Sequence, residues 1–247
     1  MNISPCISVT PKDELASYEA AINENPDNAQ RSAPGGRKKR ATGNWSKFWG
    51  NGRALRIAFM GSPPEALRLA IKNQINKWQP STHLAFDFIE AGQSDIRIQT
   101  GSDRNDSAVG TDALSYAQHE ATLNLSIDHN HPSFEAVVLH EFGHALGLEH
   151  EHHHPHANIP WDKATTYKFY KDNYEWEEDR VDFNLFRRLE INDHFRTPYD
   201  KDSIMHYPVE NELTVGDFEV GHNSKISMLD RRAMRKIYPK PRPTVDL

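Results

Sequence analysis

Half of the chain's fourteen histidines lie between Val137 and Ala157, in the run VVLHEFGHALGLEHEHHHPHA. His140 and His144 are four apart. At about 100° and 1.5 Å per helical residue they differ by about 40° in direction and 6 Å in height, so both imidazoles can close on one ion. Glu141 falls about 100° around from His140, beside such an ion without ligating it, where a general base would sit. His150 comes six residues after His144, and a continuing helix would point it about 120° away and about 9 Å higher. The helix must therefore stop and the chain turn back. Gly147 stands where a left-handed residue ends a helix at least steric cost.

Three neutral imidazoles with an open fourth position describe a catalytic zinc site, because the ion lowers the pKa of its bound water to about 7. Glu141 would take that water's proton and pass it to the leaving amine. A bare HExxH motif is only suggestive, but HExxHxxGxxH adds a glycine and a third histidine at fixed offsets. One catalytic Zn2+ is the expected cofactor. Cys6 is the single cysteine, so an intrachain disulfide and a cysteine-based zinc site are both excluded, and histidines and carboxylates must hold the metal.

The 247 residues carry 29 basic and 35 acidic side chains, a mildly acidic balance that argues against a general nucleic-acid or anionic-membrane binder. No run approaches the ~20 apolar residues of a membrane span. The opening MNISPCISVTPKDELASYEA lacks a basic region followed by a continuous apolar stretch, as a secretory signal requires. The expectation is a soluble monomer without nucleic-acid or membrane partners, either cytoplasmic or exported by a route other than a signal peptide.

Several elements must position the site. Residues 1–43 read as a flexible leader and candidate propeptide, because Ser17 to Gly43 is rich in Asn, Pro, Gly and charge and has few large apolar side chains. Within it, Arg37 to Ala41 (RKKRA) is either a processing site or a solvated linker or localisation patch. Alternation of apolar and polar residues predicts strands at Ala54 to Met60, His83 to Glu90, Ser94 to Thr100 and Ala121 to Ile127. Leu67, Ile71, Ile75 and Trp78 share one face of a helix opened by Ser62 and two prolines. Ser133 is the expected N-cap of the helix bearing His140 and His144. Asp162 and Ser227 cap two later helices, with loops and turns between them. A twisted mixed sheet with helices packed on it follows, an α+β fold.

The residues His140, Glu141, His144, Gly147 and His150 match the metzincin signature, which also requires a downstream methionine turn. DSIMHYP supplies one, with Met205 fifty-five residues past His150. Glu151 after the third histidine and the string Ser203 to Tyr207 resemble the astacin family. So do SDIRIQTGSD, VGTDA, IPWDK, LTVGDFEVG and ISMLDRRAMRKIYP. The resemblance covers about Trp45 to Pro239. It implies a two-lobed zinc metalloendopeptidase over residues 44–239, with an upper lobe of about 44–150, a lower lobe of about 151–239 and a tail at 240–247. His140, His144 and His150 would bind zinc, Glu141 would be the base and Met205 the apolar floor. Tyr207 would donate a hydrogen bond to the oxyanion, a role that any correctly aimed phenol can fill. The substrate would be a protein or peptide.

Some residues stay outside that assignment. His152, His153, His154 and His156 read as a solvated loop at the cleft rim, with Pro155 barring regular structure. His129, His131 and His206 read as structural. Cys6 could cap zinc as in a cysteine switch, but SPCIS does not resemble that motif, so a buried or idle thiol is expected. Asp13 and Asp27 do not align with the aspartate that silences animal astacins, and Glu151 either pairs with a new amino terminus or caps local structure. Arg187 and Arg188 could favour acidic substrate side chains, without a place in the cleft that sequence can assign. The alternative function is a zinc-containing, catalytically silent binding or regulatory protein; an intact Glu141 argues against it.

Overall fold

The computed structural model describes residues 6–29, 45–189 and 197–241. Five strands form one sheet: β1 (Ala54–Phe59), β2 (Ala85–Phe88), β3 (Ile96–Thr100), β4 (Asp106–Ser107) and β5 (Leu123–Leu125), in the order β2-β1-β3-β5-β4. The first four neighbours run parallel and β4 lies antiparallel on β5. The four anticipated strands are therefore present, each trimmed at its ends. β4 is a two-residue edge strand, too short to display a period.

Leu55, Ile57, Ile96, Ile98 and Leu123 are buried in the sheet, and two helices cover them. On α2 (Glu65–Ile75) Ile71 and Ile75 are fully buried, and Trp78 follows in a 3-10 turn over Asn76–Ser81. α3 (Phe134–Ala145) carries the motif and buries Phe134, Val138, Phe142 and Ala145. Ser133 precedes α3 as expected, but its hydroxyl makes no capping bond. The Trp78 indole donates to the Leu139 carbonyl (3.2 Å), tying α2 to α3. Together these elements are the upper half of an α+β fold.

The lower half is held by aromatic packing rather than by a sheet. α4 (Lys163–Tyr174) starts at Asp162, which accepts the Thr165 N–H, and α6 (Met228–Ile237) starts at Ser227 in a reciprocal capping box with Asp230. Between them the expected loops and turns contain a further helix. α5 (Glu178–Val181) runs into a π-helical turn over Asp182–Phe186, whose Leu185 packs with Tyr170, Trp176 and Val181. Such a short element has no periodic signature, and its stability comes from that tertiary cluster.

The leader differs most from expectation. α1 (Glu14–Glu24) is capped by Asp13, which accepts from Leu15 and Ala16 N–H at 2.9 and 3.0 Å. It buries only Ser17 and Ala21, so it lacks the apolar stripe that sequence reading looks for. Polar bonds dock it instead. The Ser17 hydroxyl donates to Asp112, and the Asn28 side chain donates to the Phe48 carbonyl (2.8 Å) while accepting the Phe48 N–H (3.0 Å). The candidate processing run at Arg37 to Ala41 lies outside the described residues. Among those described, no helix is long and apolar enough to cross a membrane.

Candidate metal centre

α3 delivers His140 and His144 one turn apart, and the chain then reverses at Gly147, which adopts φ 96°. A side chain there would also strike Phe48, whose ring carbon lies 2.7 Å from the place a Cβ would take. The reversal returns His150 toward α3. The three Nε2 atoms form a triangle with edges of 3.2, 3.1 and 3.2 Å.

The edge between His140 and His144 is not a hydrogen bond. The Nδ1 atoms of His140 and His144 face the carbonyls of Ile204 and Leu148, each at 2.8 Å, so Nδ1 carries the proton and Nε2 is bare. His150 Nδ1 pairs with the Ser8 hydroxyl at 3.1 Å. Burial holds all three below the ordinary imidazole range, His140 to about 3, so none carries a compensating charge. The bare lone pairs of His140 and His144 meet the His150 Nε2 at one point, where a cation would be held by all three rings. At Zn–N distances of about 2.0–2.1 Å a tetrahedral ion spaces its ligand nitrogens by about 3.3 Å. The residues fit the metal.

Glu141 is buried beside the triangle, and burial raises its carboxyl to about 8, partly offset by a hydrogen bond from Cys6. A divalent ion among the histidines would draw that value down again. The Tyr207 ring lies 4.6 Å from that of His150, and its hydroxyl has no partner among the described residues. Met205 is buried next to Gly143, where any Cβ would run into the Met205 sulfur. Gly143 is thus a site residue that the motif conceals, being one of its variable positions.

A second concealed contributor is Asp230. Beyond capping α6, it accepts the Ser203 hydroxyl (2.6 Å) and the Ile204 N–H (2.9 Å), and the Ile204 carbonyl in turn fixes the His140 tautomer. The methionine turn is therefore clamped from the last helix and hands its orientation to His140.

The family model described as Astacin, a peptidase family, matches residues 41–239. The chain belongs to the astacin family. It is a member of a family of metalloendopeptidases. It is similar to the zinc metalloproteinase dpy-31 of Caenorhabditis elegans, with 27% identity over 94% of this chain and 38% of that protein. The chain spans about two fifths of the length of the curated relatives it matches. Among solved structures, one of myroilysin is 34% identical with a TM-score of 0.74, covering 79% of this chain and 97% of that one. A hatching enzyme zinc-protease of the medaka fish Oryzias latipes shares the fold, with a TM-score of 0.54 at 17% identity, over 78% of this chain and 94% of that one.

In this astacin the remaining histidines depart from the solvated-loop reading. His152, His153 and His154 are buried and only His156 is exposed. The Nε2 atoms of His152 and His153 both donate to the Asn184 carbonyl, at 2.7 and 3.0 Å, and His154 faces the Thr197 carbonyl at 3.2 Å. Acceptors 31, 32 and 43 residues away are invisible to local pattern reading. His129 is exposed, and His206 is buried between the Tyr199 hydroxyl (2.7 Å) and the Tyr207 carbonyl (2.6 Å).

Cys6 is a part-buried thiol, in line with expectation, and it lies beside the triangle. Its sulfur lies within reach of one ion together with His140, His144 and His150, and 3.5 Å from the Glu141 carboxylate. With no cation, burial and the Glu141 charge push the thiol's pKa up. Glu151 accepts the Asp200 N–H at 2.9 Å, the local-structure role. Arg187 lines a cavity of about 130 Å³ with His144 and leader residues Ile7 to Pro11. Arg188 lines a separate cavity of about 330 Å³ beside His152 and Trp161.

Proposed function

We propose that this chain is a zinc-dependent endopeptidase acting on protein or peptide substrates, with His140, His144 and His150 as metal ligands and Glu141 as general base. The observation that carries the reading is the triangle of convergent imidazole nitrogens beside a buried carboxylate. Bound there, zinc supplies a Lewis acid that acidifies water and polarises the scissile carbonyl. Glu141 accepts the proton released as water attacks and delivers it to the amide nitrogen, so that the C–N bond breaks with an amine leaving. The Tyr207 hydroxyl, partnerless among the described residues, donates to the oxyanion that forms beside His150. Met205 keeps the floor under the ligands apolar, and Gly147 lets the third ligand return.

The described form reads as latent. Cys6 would join the three histidines in holding a metal, with its thiol in the thiolate form that such a ligand takes. Ile7 to Pro11 lie along the cleft that a substrate needs. Severing the leader would free both.

Cleavage of a denatured protein by the zinc-loaded chain, before and after limited proteolysis of the leader, tests the proposal. Activity after proteolysis that a chelator abolishes and zinc restores is the expected result. A zinc-loaded, leader-cut chain that cleaves nothing would refute the endopeptidase reading, whereas full activity of the uncut chain would refute latency.

A further inference from the structure

The leader's path through the cleft marks a binding group that neither the motif nor the metal identifies. Between Cys6, at the histidine triangle, and Pro11, the chain shares a cavity with His144, Ser107, Val109, Phe183 and Arg187. Ser8 makes two polar contacts there. Its hydroxyl pairs with His150 Nδ1, and its backbone N–H donates to the side-chain oxygen of Asn184 at 3.0 Å. A serine hydroxyl is peculiar to this leader, but a backbone N–H belongs to almost every residue of any peptide.

We propose that Asn184 is a substrate-binding residue whose side-chain carbonyl accepts a backbone N–H of the peptide lying in the cleft. The inference rests on the endopeptidase reading. Asn184 is built to present that oxygen. It sits in the π-helical turn over Asp182–Phe186 and is 4% exposed. Its Nδ2 donates to the Arg180 carbonyl at 2.8 Å, which fixes the amide so that Oδ1 faces the leader.

The backbone of the same residue is anchored independently. Leu189, whose N–H a continuing π-helix would direct to Asn184, bonds the His153 carbonyl instead at 2.9 Å. The Asn184 carbonyl thus released is taken by His152 and His153. Those two rings pack against Tyr207 and His150, with centroids 4.4 Å from His152 to Tyr207 and, edge to face, 5.7 Å from His153 to His150. Asn184 is therefore locked to the catalytic residues on its backbone side and turned to the cleft on its side-chain side. When the leader departs, Oδ1 faces the open cleft, and a substrate N–H can take the place of the Ser8 N–H.

Peptides with single backbone N-methyl groups test this directly. A scan of a cleaved peptide is run against the zinc-loaded chain, activated by limited proteolysis, in the wild-type, Asn184→Ala and Asn184→Asp forms. Peptides spanning Cys6 to Pro11, with and without N-methylation at Ser8, serve as inhibitors. In the wild type one scan position, and the Ser8 methyl group in the inhibitor, should each weaken binding about tenfold, the scale of one hydrogen bond to a buried acceptor. Asn184→Ala should lose that discrimination, and Asn184→Asp, which keeps an acceptor but loses the bond to the Arg180 carbonyl, should retain part of it. Discrimination that persists in Asn184→Ala, or wild-type cleavage indifferent to N-methylation at every position, would overturn the role of Asn184 and leave the endopeptidase reading standing. Absence of wild-type cleavage would remove both.

Discussion

His140, His144 and His150 meet nitrogen to nitrogen at 3.1–3.2 Å, while His152 and His153, from the same run of sequence, aim their Nε2 atoms at one carbonyl oxygen. Both sets are buried or nearly so, and burial depresses the basicity of both. Burial and histidine density therefore do not distinguish a metal site. What separates the two sets is where the ring protons go. In the first set the protons of His140 and His144 point outward to carbonyls and leave the lone pairs convergent. In the second the protons point at a shared acceptor, and the Nδ1 atoms of His152 and His153 are left without partners among the described residues.

The largest expected effect comes from moving one member out of the first set. Gly147→Val places a β-branched side chain at φ 96° and against Phe48, so the return of His150 fails and zinc content and cleavage are both lost. Full zinc occupancy in that variant would break the account of the turn. Glu141→Gln leaves both sets untouched and removes only the proposed proton carrier. Cleavage by the leader-cut enzyme should fall by about 10³-fold or more with zinc retained; a fall tenfold or smaller would assign the base elsewhere.

Tyr207 touches both sets, with ring centroids 4.6 Å from His150 and 4.4 Å from His152. Tyr207→Phe should lower kcat about 10²-fold and leave zinc bound, as loss of one oxyanion donor does. Unchanged turnover would reduce Tyr207 to packing.

The smallest effect sharpens the contrast from outside the triangle. Burial lowers His153 and His206 to about 4. The unfolded chain binds protons at these residues as pH falls through the ordinary histidine value near 6.5, and the folded chain resists doing so until about pH 4. Their contribution is thus constant above about pH 6.5 and turns against folding between 6.5 and 4. The urea midpoint of the metal-free chain should be lower at pH 5 than at pH 7.5, with a smaller drop in His206→Gln. An equal drop in that variant would exclude His206 as a source.

The legible parts of this molecule are those whose logic is local. Four strands, α2, α3 and the caps at Asp162 and Ser227 follow from periodicity and capping chemistry, and the triangle follows from helix geometry plus one glycine. What escaped depends on distant partners. α1 is docked by Asn28 and Ser17 instead of an apolar stripe, and β4 spans two residues. The burial of His152 to His154 depends on carbonyls that only the folded chain brings near. Cys6 reaches the triangle across 134 residues of sequence from His140, a juxtaposition that no flanking motif announces. Asp230 was readable as a cap but not as the clamp on the methionine turn.

The claim that convergence of bare lone pairs makes the metal site is tested most directly by counting zinc per chain after exhaustive dialysis. The account predicts one ion in the wild type. Two ions would mean that His152 and His153 form a second site, and none would mean that the triangle does not hold a metal; either count contradicts it.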